Sequence, residues 1–575
     1  MTAGSLTLTG AFTLASCVFF MAAVAWVSWL KTRGTAETRD GYFLAGRGLG
    51  ATFIAGSLLL TNLSAEQLIG LNGSAYGYNL SSMAWEVTAA VATVAMALIF
   101  LPRYLAGAFT TLPQFLNDRF DADVRRMSVV LFMLGYGLVT IPSVLYSGSL
   151  AVIAFFDVPA LTGLGDFEAL CAMVVVIGVT GSLYAIFGGL RAVAISDTLN
   201  GIGLLIIGIC VPVFGLIALG DGDFASGLAR LTTQYPEKLN AIGAPDDPTP
   251  FGTIFTGMVF ANLFYWCTNQ YVIQRTLGAK SLAEGQKGVL FSGFFKILVP
   301  FLMMVPGVIA FHLYGPGLGS IDEAYPRLIR DVLPVWMSGF FLAVLLGAVF
   351  SSFNSLLNSA ATLFAIDIYA PAAKRDVTDA QLVRVAKLAS LVIALGSFAI
   401  APLLSFAPEG LWQIIRIFTG FYNIPMVVIV IVGLFTARVP AIGAKIVIVF
   451  HVIAYGLLRF VLDDVVVIHF LHQYAILFAI EVAIMLACGA IVPRKAAWQF
   501  TRNEQVNMDE WHFARPLAAT LLSCVVATYL LFSPLGIASE TGFSFWFTPL
   551  MAALVAANFV MWGTALRRAS RDKAG

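Results

Sequence analysis

The sequence predicts an all-α polytopic membrane protein whose centre is two five-helix groups of opposite topology. Three observations predict it. The chain has 575 residues, of which 59% are hydrophobic and only 11% charged, with a mean hydropathy of +0.88; soluble domains carry about 25% charged residues. Apolar runs of about 20 residues recur from end to end, each long enough to cross a hydrocarbon core of about 30 Å. Polar side chains inside those runs cluster in two of them, TNLSAEQ (61–67) and NLFYWCTNQ (262–270). Each run is read as a helix, because a lone span must satisfy its own backbone hydrogen bonds.

About fifteen spans are expected. The first lies near 8–30; its positive residues, Lys31 and Arg33, follow the apolar run instead of preceding it. It therefore reads as a retained span and not a cleaved leader. Spans near 51–73, 80–102, 128–155, 169–187 and 198–218 form the first group. After a polar stretch, 251–274, 289–314, 335–367, 388–405 and 411–437 form the second. The runs at 441–461, 466–492, 516–534 and 543–566 are peripheral. The expected division is therefore 1–50 (extra helix and loop), 51–218 (first repeat), 251–437 (second repeat) and 438–575 (peripheral helices).

Loop charge sets the orientation. With the N-terminus outside, alternate loops collect Arg39 and Arg47, then Arg103, Arg119, Arg125 and Arg126, then Arg191, Arg275, Lys280 and Lys287, and finally the tail Arg567, Arg568, Arg571 and Lys573. The opposite loops hold acidic pairs such as Asp221/Asp223 and Asp463/Asp464. That is the positive-inside pattern, and an odd span number puts the cationic tail on the cytoplasmic side. The short loops point to a plasma membrane of bacterial inner-membrane type.

Several function classes are excluded. The cysteines are scattered without CxxC spacing, and the five histidines form no HExxH cluster. No basic patch interleaved with aromatics points to nucleic acid. No nucleophile–base arrangement or phosphate loop points to an enzyme; AGRGLG (45–50) lacks the β-strand that a nucleotide loop needs.

Inside the spans the ionisable residues are Glu66, Glu86, Asp197, Lys296, Arg416 and Glu481. Each costs about 2.5–3.5 kcal/mol at a helix centre and needs a partner or a wet cavity. The two polar runs open successive five-helix groups. Five is odd, so the second group enters from the opposite side, and interrupted helices at corresponding positions of inverted halves mark the binding site of secondary transporters. In SSFNSLLNS (351–359), a serine pair either back-bonds to its own helix or, beside a broken helix, completes a cage of hard oxygens for an alkali cation.

The motifs DGYFLAGRGLG (40–50), SLLLTNLSAEQLIGLNGSAYGYNLSSMAWE (57–86), YAIFGGLRAVAISD (184–197), ANLFYWCTNQYVIQRTLGAKSLAEGQKG (261–288), FFKILVPF (294–301) and SSFNSLLNSAATLFAIDIY (351–369) follow one another in family order. In them the chain resembles the solute:sodium symporter family, and its sodium/glucose cotransporter branch in particular. The resemblance implies a LeuT-like 5+5 inverted-repeat core with one extra N-terminal and about four extra C-terminal helices, alternating access, and Na+ as the coupling ion for uptake of a sugar. It implies a sodium site from the carbonyls of Leu60, Leu63 and Ala348 and the hydroxyls of Ser351 and Ser352. Asp197, Ser352 and Ser355 fall where some relatives bind a second sodium or pass the ion inward. Gln67, Glu86, Asn262, Lys296 and Arg416 would contact the sugar. Tyr265 with Trp266 would gate the cytoplasmic side, and Leu71, Trp85 and Trp412 the outer side.

Residue chemistry agrees with a sugar, whose hydroxyls donate and accept and whose C–H face packs on rings. Two departures from the branch stand out, Arg416 where glutamine is common and Ala89 where a small polar residue is common. Arg416 shifts preference among neutral sugars, pairs with a carboxylate on an acidic solute, or neutralises Glu86. The alternatives to a monosaccharide symporter are thus a sodium symporter for a sugar acid, or a sodium-fed sensor without net transport.

Overall fold

The computed structural model describes residues 8–32, 38–156, 158–373, 376–406, 411–462, 465–500, 502 and 505–574. Among them every regular element is helical, apart from isolated bridges at Leu49–Ala279 and Ser281–Asn507. Twelve helices are long and apolar enough to cross a membrane, or thirteen if one bent pair is counted as a span.

The helix α1 (Leu8–Thr32) comes first. The bent pair follows: α2 (Ala51–Asn62) and α3 (Ala65–Gly77), inclined by 58° to one another. Next come α4 (Leu80–Gly107), α5 (Ala122–Ile153) and α6 (Asp166–Leu219). A second interrupted element consists of α7 (Gly257–Leu263), a π-helical turn at Phe264–Thr268, and α8 (Gln270–Leu277). The helices α9 (Leu282–Tyr314), α10 (Val335–Ala372), α11 (Asp379–Phe406) and α12 (Leu411–Phe435) complete the core. The outer set is α13 (Ala441–Phe460), α14 (Phe470–Ile491), α15 (Ala514–Leu531) and α16 (Phe547–Ala574).

Two of the fifteen expected spans, 251–274 and 169–187, take a form that length and hydropathy do not pick out. The span expected at 251–274 is split by an extended residue, Asn269 (φ −79°, ψ 117°), into pieces each too short to cross alone. Those expected at 169–187 and 198–218 lie in the two halves of α6, which is 54 residues long. On a straight helix Gly181 and Gly203 would stand about 33 Å apart. Yet Gly181 sits against Phe350 and Phe353 while Gly203 sits against Val344. Val344 and Phe350 are only about 9 Å apart along α10, so α6 cannot run straight between its two glycines.

The broken pair α2–α3 is held from both sides by close backbone approach. A Cβ on Gly56 would lie 2.8 Å from Thr198 Oγ1 of α6, and one on Gly288 of α9 would lie 2.7 Å from Ile54 of α2. Without side chains there, α6 and α9 clamp α2 and leave its C-terminal end facing the centre.

At the other end of the core, the guanidinium of Arg119 is buried and closes the last turn of α12. It donates to the carbonyls of Gly433 (2.8 Å), Thr436 (2.9 Å) and Val439 (3.2 Å). Replacing Arg119 by leucine orphans these carbonyls and is expected to lower stability by at least about 2 kcal/mol. Thermal unfolding in detergent checks this, and an unshifted midpoint would show that water satisfies the three acceptors.

Candidate functional site

The site begins where α2 ends. Leu63 (φ −87°, ψ 83°) and Ser64 (φ −86°, ψ 171°) leave the helical region. The Ser64 N–H turns to the Asn62 carbonyl at 3.1 Å instead of reaching four residues back. The Leu60 carbonyl thereby loses its helical donor, as the polar composition of this run led one to expect.

Opposite this break stands α10. Ala348, Ser351 and Ser352 are all buried on it. Ser351 Oγ makes no hydrogen bond of normal geometry, and Ser352 Oγ reaches across to the Thr61 carbonyl at 3.5 Å. Back-bonding within the helix is found one turn later, where Ser355 Oγ donates to the Ser351 carbonyl at 2.5 Å. The carbonyl of Ala348 lies inside α10, with one lone pair left after its helical bond. Carbonyls of Leu60, Leu63 and Ala348 thus lie on the same two elements as the serine pair, an oxygen-only donor set.

A cavity of about 200 Å³ adjoins this corner, lined by the α2–α3 break together with α4, α5, α7, α10, α12 and α14. Gln67, Leu71, Trp85, Glu86, Asn262, Tyr265, Trp266 and Ser352 all face it. Gln67 Nε2 donates to Glu86 Oε1 at 3.1 Å, while Lys296 ion-pairs with Glu86 Oε2. Lys296 is 1% exposed, does not line the cavity, and stands 5.8 Å from the Trp266 ring centre. It therefore backs Glu86 instead of facing the space. Asn262 Nδ2 donates to Thr88 Oγ1 at 2.9 Å. The Trp85 ring stacks on Phe470, and Tyr265 packs edge-on to Trp266 and Tyr271. The side chains of Trp412 and Arg416 lie outside the described residues.

Asp197 and Ser355 are brought together below the cavity, and the group that joins them is Arg275. Loop-charge reasoning assigns Arg275 to a cytoplasmic loop; the structure buries it completely, because α8 continues inward from the break at Asn269. Two further residues carry no role in the sequence reading. Glu66 lines the cavity with Oε1 buried and without a hydrogen bond of normal geometry, and Asn269 accepts a hydrogen bond from Tyr136. Both sit inside the polar runs, and that placement is the only signal the sequence offers for them.

The sodium:solute symporter family model matches residues 42–449. The chain belongs to the sodium:solute symporter family. This symporter is 44% identical over 548 residues to an uncharacterised symporter of Escherichia coli (strain K12), YidK, covering 95% of each chain. It is 33% identical over 442 residues to the sodium/glucose cotransporter of Vibrio parahaemolyticus, covering 73% of this chain and 79% of the relative. Its fold matches a solved structure of a Na+-coupled sialic acid symporter in a substrate-bound outward-open state. That match has a TM-score of 0.72 at 22% identity and covers 84% of this chain and 99% of that one. This symporter is therefore a multi-pass membrane transporter with the LeuT-like inverted-repeat fold and sodium as its coupling ion. Its work is vectorial movement of a solute and not catalysis.

Proposed function

We propose that this symporter takes up a monosaccharide of the glucose or galactose type. The observation that carries this reading is a set of unmet acceptors. Gln67 Oε1 is buried without a hydrogen-bond donor, Glu66 Oε1 is buried without one of normal geometry though Ser64 and Ser147 flank its carboxyl, and both residues line the cavity with Glu86. Buried acceptors without donors cost about 1–3 kcal/mol each, and a polyhydroxylated ligand supplies the missing O–H groups. Trp85, Tyr265 and Trp266 offer rings on which a pyranose C–H face can pack. The name of the Vibrio relative, a sodium/glucose cotransporter, supports the same class.

In this reading Gln67, Glu86 and Asn262 hold the sugar and Lys296 fixes the charge of Glu86, while Arg416 is kept as a sugar contact on the family resemblance alone. Leu60, Leu63, Ala348, Ser351 and Ser352 hold sodium. Leu71, Trp85 and Trp412 close the outer side, and Tyr265 with Trp266 the inner. Residues 51–218 and 251–437 act as the two inverted repeats that exchange access. The sugar-acid alternative loses ground because Lys296 is already neutralised by Glu86 and is not turned toward the cavity.

The test is uptake of labelled sugars into proteoliposomes with and without an inward sodium gradient. Sodium-dependent accumulation of glucose or galactose is expected; uptake blocked by sugar acids and indifferent to neutral hexoses would refute the assignment. Gln67→Ala should weaken sugar binding by about 10–150-fold, the equivalent of about 1.5–3 kcal/mol for a hydrogen bond in a charged chain. Sodium affinity should change little, and an unaltered sugar affinity would move the site elsewhere.

A further inference from the structure

An intramembrane carboxylate among hydroxyls is by its chemistry a cation site, and Asp197 is such a group: 1% exposed, beside Ser57, Ser351 and Ser355. The corner is already filled. Asp197 Oδ2 accepts from Ser57 Oγ at 2.6 Å and lies 4.0 Å from Arg275 Nη2. Arg275 Nε donates to the same Ser57 Oγ at 2.9 Å, Nη2 donates to Ser355 Oγ, and Nη1 donates to the Tyr271 carbonyl. Between them the guanidinium and the Ser57 hydroxyl engage the oxygens of this corner, except one. Asp197 Oδ1 makes no hydrogen bond of normal geometry and faces the Ser351 hydroxyl, which belongs to the neighbouring cage.

We propose that Arg275 is a resident cation that fills the corner formed by Asp197, Ser57 and Ser355, so that a single sodium ion accompanies each solute. The inference rests on the sodium-site reading of Ser351 and Ser352. A guanidinium holds its charge at any physiological pH and cannot give up its place by deprotonation. A second sodium in the same corner would meet a buried like charge, and would have to take hydroxyls that Arg275 already uses. What remains to Asp197 is one oxygen next to Ser351, and it lends negative charge to the upper cage. Neither Asp197 nor Ser355 then forms a second cation site.

The experiment counts sodium on the purified full chain by equilibrium binding of radioactive sodium, with no sugar needed. The unaltered protein should bind one ion per chain, with a Hill coefficient of about one. Arg275→Gln frees the Asp197 corner and should admit a second ion, while Arg275→Lys keeps the resident charge and should stay at one. If Arg275→Gln does not fold, the double substitution Asp197→Asn with Arg275→Gln removes both charges together and should still bind one ion, more weakly. Two ions on the unaltered protein would overturn the inference, as would a folded Arg275→Gln that remains at one or a double variant that binds none. Absence of saturable sodium binding on the unaltered protein would instead refute the Ser351–Ser352 cage and remove the inference with it.

Discussion

Changing Ser351 and Ser352 together to alanine is expected to abolish sodium-driven uptake while leaving the sodium-free fold as stable as before. Two of the five proposed oxygen ligands disappear. Altering even an outer-shell partner of a metal ligand costs about 10–100-fold in affinity, so losing two direct ligands should cost about 100-fold or more. The fold should not suffer in step. Ser351 Oγ lies beside the Asp197 carboxylate without a hydrogen bond of normal geometry, and Ser352 Oγ makes one long contact of 3.5 Å to Thr61. Removing buried hydroxyls that make only long or poorly aligned contacts costs little. The decisive measurement is thermal unfolding with and without sodium, because a ligand that binds only the folded state raises its midpoint. The sodium-induced rise should vanish in the double variant while the sodium-free midpoint holds. A full rise in that variant would remove the serines from the cage.

The sequence made the site's outline legible because insertion into lipid is so selective. Polar groups such as Thr61, Gln67, Glu86 and Asn262 could not be carried at membrane depth without a reason, so their positions pointed to the cavity directly. The same argument required a partner for each of the charges Glu86 and Lys296, and the structure supplies it by pairing the two. Arg275 was not legible. In sequence it follows an apolar stretch and precedes Lys280 and Lys287, which makes it look like one more cytoplasmic charge. Its burial depends on the extended residue Asn269 starting a new helix and on a carboxylate in a different repeat. Neither leaves a periodic trace. The helical split of the span at 251–274 was hidden for a related reason: hydropathy averages over a break, and only the hydrogen-bonding residues at its edge mark the place. The fold of α6 was legible as two spans but not as one helical stretch, whose two halves both pack on α10.

If the proposed ion and solute sites hold, the interrupted element α2–α3 would couple them, since the stretch from Thr61 to Gln67 borders both. Its carbonyl side meets Ser352 of α10, while its side chains Glu66 and Gln67 face the cavity. Sodium bound to the carbonyls would stiffen the turn that presents Gln67 to the solute. Ordering paid by the first ligand is not charged again to the second, which is a source of positive cooperativity between sites in contact.

The largest loss of stability should come from Lys296→Met. It leaves Glu86, 3% exposed, as a buried carboxylate with only the Gln67 amide against it. Breaking one partner out of a buried ion pair costs about 3–5 kcal/mol, most of it from the stranded charge. The variant should therefore unfold at a lower temperature in detergent and bind no sugar. The informative companion is Glu86→Gln with Lys296→Met, which removes both charges. Replacing a buried pair by neutral groups is often neutral for stability, so the double variant should recover most of the unfolding midpoint. It should not recover uptake, because the cavity-facing Glu86 carboxylate, the strongest acceptor available to a sugar hydroxyl, is gone. With the single variant Glu86→Gln added, a double-mutant cycle measures the coupling of the two residues in the stability data, and a transport defect that persists in the double variant after stability returns belongs to the lost Glu86 carboxylate. If the double variant transported sugar as well as the unaltered protein, the pair would be a strut between α4 and α9 and the solute would be held by other groups.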